Sequence, residues 1–261
     1  MASADRDAPV IVLVPGAFST PGCYDKLLPF LNDSGFPTHP GPYPSCNPPD
    51  PTTATCEKDI VALRDGVILP LLEQQKNVVI VAHSYGCVVA GAAAKDLDKA
   101  TRRANGRDSG IIGLIFIAGI IALENEALLA SMGGKHAPFI QMDKPAKGLA
   151  LIEPAMDVLF NDCDSALESE LTKDMYPHAL LAFDTPAGAP AWADQAFAGK
   201  RAYIRTLNDN CNPSWVQDKW LDKSKVEWLM IELPTGHMPF VSEPKDVAIA
   251  IMRFILTFIG P

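Results

Sequence analysis

Three residues in this chain have the types and the order that acyl-transfer chemistry needs: Ser84, Asp209 and His237. A serine hydroxyl is a weak nucleophile near neutral pH. It needs a base within hydrogen-bond reach, and that base needs a third group to hold one tautomer. Ser84 stands in Ala82-His83-Ser84-Tyr85-Gly86, after the apolar, β-branched residues 78–81 and before small and apolar residues at helical spacing. Strand, sharp turn with a central serine, then helix is the setting in which a G-x-S-x-G motif lifts a hydroxyl clear of both elements. Strand and helix then nearly touch, so the residues two before and two after the serine must be small. Gly86 meets that demand, and Ala82 replaces the usual first glycine. The competing reading makes Ser84 a plain helix N-cap, where serine is favoured.

The base is sought among five histidines. His237, in Gly236-His237-Met238-Pro239, follows the last strand of the pattern, where a strand end would carry it towards Ser84. The acid is expected after the preceding strand, in the chain order Ser, acid, His. Asp209 stands there; Asp218 and Asp222 are rivals on the next helix, where a solvated face accounts for them. Asp209 has its own alternative, an Asx-turn or a helix cap. His83 adjoins the serine but points away on a tight turn, so it reads as structural. His39 and His136 read as surface residues, and His178 as a candidate pocket wall.

The elements that must position these residues follow from periodicity. Residues 10–14, 78–81, 111–120, 201–206 and 226–233 are buried-strand runs, with a short strand near 36–39. Helical patterns run over 24–31, 53–74, 214–222 and 244–259, with Pro70 a candidate kink. Alternating β and α with short loops implies a parallel, doubly wound sheet of about six strands. Between 121 and 199 the pattern changes to short helical fragments separated by Gly and Pro, without a strand signal. A helical cap is the better reading of so long a connection. The expected division is therefore a core of residues 1–120 and 200–261, with a cap of 121–199.

Composition excludes several classes. A net charge of −9 provides no basic stripe for nucleic acid and no attraction to an anionic membrane. Residues 1–10 hold no apolar stretch of the secretory type, and residues 247–259 are too few to span a bilayer. The six cysteines show no metal-binding spacing, and free thiols in a cytoplasmic protein are the default. Neither a phosphate-binding glycine loop nor a metal cluster is visible, so no cofactor is expected.

With these residues in place the chain resembles an α/β-hydrolase-fold serine hydrolase. Within that superfamily it is similar to the small plant methylesterase and hydroxynitrile lyase group and its microbial relatives. The resemblance rests on Val12-Leu13-Val14-Pro15-Gly16-Ala17, the Ser84 pentapeptide, Tyr203-Ile204-Arg205-Thr206 leading to Asp209, and Gly236-His237-Met238-Pro239. It implies that Ser84 is the nucleophile, His237 the general base and Asp209 its orienting carboxylate, with the N–H groups of Ala17 and Tyr85 as an oxyanion hole. The chain departs from the family at Pro15, where relatives often have His. At Gly16 and Met238 the lyases carry a Thr and a Lys, and neither replacement can hydrogen-bond or charge a substrate through its side chain. That favours ester hydrolysis over cyanohydrin cleavage.

The pocket is expected between core and cap, walled by Gly16, Phe18, Tyr85, Phe139, Met156, Leu159, Phe160, His178, Phe183, Trp192 and Met238. Such walls suit a neutral, hydrophobic small molecule, an ester, thioester or lactone. A lyase, cyclase or acyl-transfer enzyme and a ligand receptor are the rival expectations on the same scaffold. The only protein partner left open is a second copy in a homodimer.

Overall fold

The computed structural model describes residues 8–260, so most of the stretch used to exclude a secretory leader lies outside the described residues. The first half of the chain alternates strand and helix. β1 (Val10–Val14), α1 (Leu28–Asp33), β2 (Thr38–Pro40), α2 (Cys56–Leu63), α3 (Leu69–Glu73), β3 (Val78–His83), α4 (Gly86–Ala93), α5 (Lys99–Ala104) and β4 (Ile111–Ile117) follow in order. After β4 come α6 (Leu128–Ser131), β5 (Ile140–Met142), β6 (Leu149–Ile152), α7 (Ala155–Leu159), α8 (Glu168–Leu171), β7 (His178–Ala179) and α9 (Leu180–Asp184). Alternation resumes with β8 (Arg201–Thr206), α10 (Ser214–Ser224), β9 (Leu229–Leu233), α11 (Pro239–Ser242) and α12 (Pro244–Ile259).

Six strands form one parallel sheet in the order β2-β1-β3-β4-β8-β9. Its central strands are continuous apolar runs because helices cover both faces; every residue of β1 and β3 is buried. The chain leaves β1 for β2 on one side, then crosses to β3 on the other. The carboxyl ends of β1 and β3 therefore flank a topological switch point, where open α/β sheets bind ligands. The loop after β1 carries Ala17, and the turn after β3 carries Ser84.

Two sequence expectations change. The helix expected over 53–74 breaks into α2, a π-helical turn Arg64–Ile68, and α3. Pro70 has no N–H to give, and the turn before it absorbs the missing bond, with Leu69 N–H reaching back to Arg64 O. The 121–199 segment is not purely helical: β5, β6 and β7 form a small antiparallel sheet. Its strands are two to four residues long and lie among Gly and Pro, too short for periodicity to register.

That small sheet is tied to the core. Tyr176 N–H donates to Phe18 O (2.8 Å) and Ala179 N–H to Ser45 O (2.9 Å), and Ser19 pairs with Met175 and Cys46 with His178. Among the described residues no helix is long and apolar enough to cross a membrane.

Gly86 is the tightest point of the turn. A Cβ there would run into the Pro15 carbonyl oxygen, so the first residue of α4 touches the backbone of the loop after β1. Gly86→Ala should lower the urea unfolding free energy by about 2 kcal/mol or more. Gly66→Ala, where a Cβ meets nothing within 4 Å, should leave it unchanged or raise it by about 0.5–1 kcal/mol.

Candidate active site

Ser84 is held at φ +49°, in the left-handed region that a side chain makes costly, roughly 1–2 kcal/mol. Its N–H donates to Ile117 O (3.1 Å), and its carbonyl accepts from Cys87 N–H (3.1 Å) and Ile120 N–H (3.3 Å). The hydroxyl rises between β3 and α4 and borders a cavity of about 60 Å³. His237 borders the same cavity from the loop after β9.

Behind His237 stands Asp209, 4 % exposed, on the loop after β8. His237 Nδ1–H donates to Asp209 Oδ2 at 2.8 Å. Thr206 Oγ1 donates to the same oxygen (2.8 Å), while the N–H groups of Cys211 (2.8 Å) and Asn212 (2.7 Å) donate to Oδ1. The carboxylate thus holds the histidine ring and also closes an Asx-turn. Gln217 secures the loop by donating to Thr206 O (3.0 Å), Thr206 Oγ1 (2.9 Å) and Asn212 O (2.7 Å). Asp218 is instead ion-paired to Arg205 (2.5 Å) on a solvated face.

Burial pulls the His237 pKa down, but the Asp209 charge and hydrogen bond outweigh it, and the net shift is well above the ordinary 6.5. A histidine whose folded pKa is raised stabilises the fold fully below the unfolded value of about 6.5 and loses that contribution as pH rises through the folded value. The Ser84 hydroxyl makes no hydrogen bond among the described residues. Such pairs are often long until a reacting group fills the site.

His83 is structural, as its position on the turn suggested. Its Nε2–H donates to His237 O (2.9 Å), which leaves Nδ1 a buried lone pair with no partner. Burial, then the neighbouring His237, holds its pKa well below 6.5, so it stays neutral. A Cβ on Gly16 would lie 2.6 Å from that nitrogen, which explains the glycine. Tyr43 OH grips the same loop, donating to Pro15 O (3.0 Å) and Gly16 O (2.7 Å). Among the described residues the N–H groups of Ala17 and Tyr85 meet no protein acceptor.

Of the expected walls, Phe18, Tyr85, Phe139, Leu159 and Phe183 line the Ser84 cavity, as does Ala17. Six do not. Gly16 lies beneath Ser84 against His83. Phe160 and Met238 face a second cleft, with Cys23, Leu171 and Val241. Met156 is half-buried against the core. Trp192 packs on Gly91 and Trp228, on the far side of α4. His178 sits one layer back, fully buried and stacked on Phe183 at 4.7 Å. His136, read as a surface residue, lines the cavity, together with Ile120, Leu128, Met132, Ile140, Ile152, Cys211 and Asn212. The sequence carried no periodic signal for this rim. It is built by short helices, strands and turns whose path only the tertiary fold determines.

The sheet order, the switch-point turn and the loops around it agree with the sequence comparisons. The Alpha/beta hydrolase family profile matches residues 11–250. The chain belongs to the alpha/beta hydrolase family. It is 23% identical to the alpha/beta hydrolase nvfD of Aspergillus novofumigatus, over 94% of this chain and 95% of that one. Among solved structures, the pyrethroid hydrolase from Sphingobium faniae superposes with a TM-score of 0.72 at 19% identity, covering 95% and 97% of the two chains. The methylesterase MES16 from Arabidopsis superposes with a TM-score of 0.68 at 19% identity, covering 94% and 98%. The resemblance to the methylesterase group stands, and these structural likenesses carry the fold.

The electrostatics predict a titration readable without any substrate. By histidine-selective NMR, His237 should titrate above pH 6.5, and Asp209→Asn should lower that value, because the charge that most opposes burial is then gone. An unchanged His237 titration in the variant would show that the two side chains do not interact.

Proposed function

We propose that this chain is a cofactor-independent serine hydrolase that cleaves hydrophobic carboxylic esters or lactones. The observation that carries the reading is the buried Asp209–His237 hydrogen bond, whose imidazole borders the same cavity as the left-handed Ser84. Asp209 accepts from Nδ1–H, which leaves Nε2 as the lone pair that takes the Ser84 proton. The serine oxygen attacks the carbonyl carbon. His237 passes the proton to the leaving alkoxide, and an acyl-enzyme remains. Water, deprotonated by the same imidazole, then releases the acid and restores the serine.

The tetrahedral intermediate places negative charge on the former carbonyl oxygen. The unpartnered N–H groups of Ala17 and Tyr85 are the donors for it. Preorganised donors of this kind typically account for a hundredfold or more in rate each. The walls favour an apolar substrate: Leu128, Met132, Phe139, Ile140 and Ile152 face it from the 121–199 segment. The cavity of about 60 Å³ has room for a few waters or a small apolar group. Names of related proteins agree with ester chemistry, among them a methylesterase and a polyneuridine aldehyde esterase.

A fluorophosphonate probe should label the wild-type chain once, on the peptide containing Ser84. Ser84→Ala should abolish the adduct and reduce p-nitrophenyl butyrate turnover by about 10⁴-fold or more. Labelling at another residue, or full turnover by the alanine variant, would overturn the hydrolase reading.

A further inference from the structure

A second buried polar cluster lies behind the catalytic side chains, and the mechanism above does not use it. Asp59, on α2, is fully buried with no cationic partner among the described residues. It accepts from Ser45 N–H (2.9 Å), Ser45 Oγ–H (2.5 Å) and Tyr85 OH (2.7 Å). The cluster continues on the other side of Ser45, where His178 Nε2 lies 3.1 Å from Ser45 Oγ.

Donor counting gives that chain a direction. The Ser45 hydroxyl has one proton, and the carboxylate takes it. His178 Nε2 must therefore donate to Ser45, and its Nδ1 keeps a lone pair. Burial holds the His178 pKa down to about 3, so the ring is neutral and this single tautomer persists. The lone pair faces the N–H of Phe18 at 3.5 Å.

One arm ends on the side chain of Tyr85, the residue after Ser84, and the other on the N–H of Phe18, the residue after Ala17. One arm, through the Tyr85 hydroxyl, fixes the residue whose N–H follows the nucleophile. The other, through Ser45 and His178, fixes Phe18, which sits in the left-handed region at φ +64° directly after Ala17. Tyr176 N–H holds the same residue by its carbonyl (2.8 Å). The Phe18 N–H is turned back towards His178, and the neighbouring Ala17 N–H meets no protein acceptor among the described residues.

We infer that Asp59 is a positioning residue: through Tyr85 on one arm and Ser45 and His178 on the other, it sets the spacing of the two peptide donors that would hold the oxyanion. The inference rests on the serine hydrolase reading and adds to it. It makes the 121–199 segment, which supplies His178, part of the catalytic geometry and not a detachable cover. Burial of Asp59 raises its pKa to about 6 despite three hydrogen bonds. A carboxylate that burial disfavours makes a poor stability device.

The test compares Asp59→Asn, Tyr85→Phe, Ser45→Ala and the Tyr85→Phe/Ser45→Ala pair with wild type. Each is assayed for kcat and KM on p-nitrophenyl butyrate and for inhibition by an alkyl trifluoromethyl ketone, whose hemiketal oxygen mimics the oxyanion. Each single-arm variant should lower kcat about tenfold, with KM within about twofold, and should weaken the ketone by the same factor as kcat/KM. The pair should lose less than the product of its two singles, since both arms act on one geometry. Should Asp59→Asn not fold, the two single-arm variants, which only delete a hydroxyl, decide the matter. Unchanged kcat and ketone affinity in them, or a change in KM alone, would overturn the inference. If the wild type fails to label at Ser84, the hydrolase reading itself falls first; a labelled wild type with indifferent variants removes only the role of Asp59.

Discussion

The structure depends on one close approach: the end of β3, the start of α4 and the loop after β1 meet at Gly86, with no room for a single methyl group. That contact forces Ser84 into a left-handed conformation and directs its side chain out of the sheet. Everything that surrounds the serine is then built to keep three chain segments from relaxing apart. Tyr43 and Tyr24 tie the β1 end by hydrogen bonds to Pro15, Gly16 and Val14 carbonyls. Cys87 Sγ–H donates to Ala82 O (3.2 Å), which ties the start of α4 to the end of β3.

The polar groups of the site are arranged in two buried systems with different purposes. One runs from Gln217 through Thr206 and Asp209 to His237, and it fixes a charge and a tautomer. The other runs from Tyr85 through Asp59 and Ser45 to His178, and it fixes backbone. Between them stands His83, whose Nδ1 is buried without a partner. An orphaned nitrogen of this kind typically costs about 1–3 kcal/mol. Here the cost accompanies a hydrogen bond to the His237 carbonyl that no apolar residue could make.

Much of this was legible in the sequence, for reasons that differ from residue to residue. The six-stranded parallel sheet could be read because its central strands are uninterrupted apolar runs. The placing of Ser84, Asp209 and His237 beside one another on a sheet edge could be read in outline, because each follows a strand and the Asp209–His237 bond and the cavity shared by Ser84 and His237 lie on that edge. The pocket walls could not. Trp192 and Phe160 are large and apolar like Phe139 and Phe183, and nothing in residue type tells which side of a short turn each will face. His136 looked like a surface residue because its neighbours Lys135 and Gly134 are polar or small. Asp59 was hidden for the opposite reason: a carboxylate on an amphipathic helix is ordinarily solvated, and only the fold shows Ser45 and Tyr85 waiting for it.

The position of a reacting group, once attached, decides whether Ser84 and the two peptide donors act together. An experimental structure of the chain after reaction with diethyl p-nitrophenyl phosphate would show this directly. The phosphorus should be bonded to Ser84 Oγ, with its phosphoryl oxygen about 2.7–3.1 Å from the N–H groups of Ala17 and Tyr85. The His237 imidazole should lie on the opposite side of the phosphorus. An adduct on any other side chain, or a phosphoryl oxygen turned away from both peptides, would contradict it.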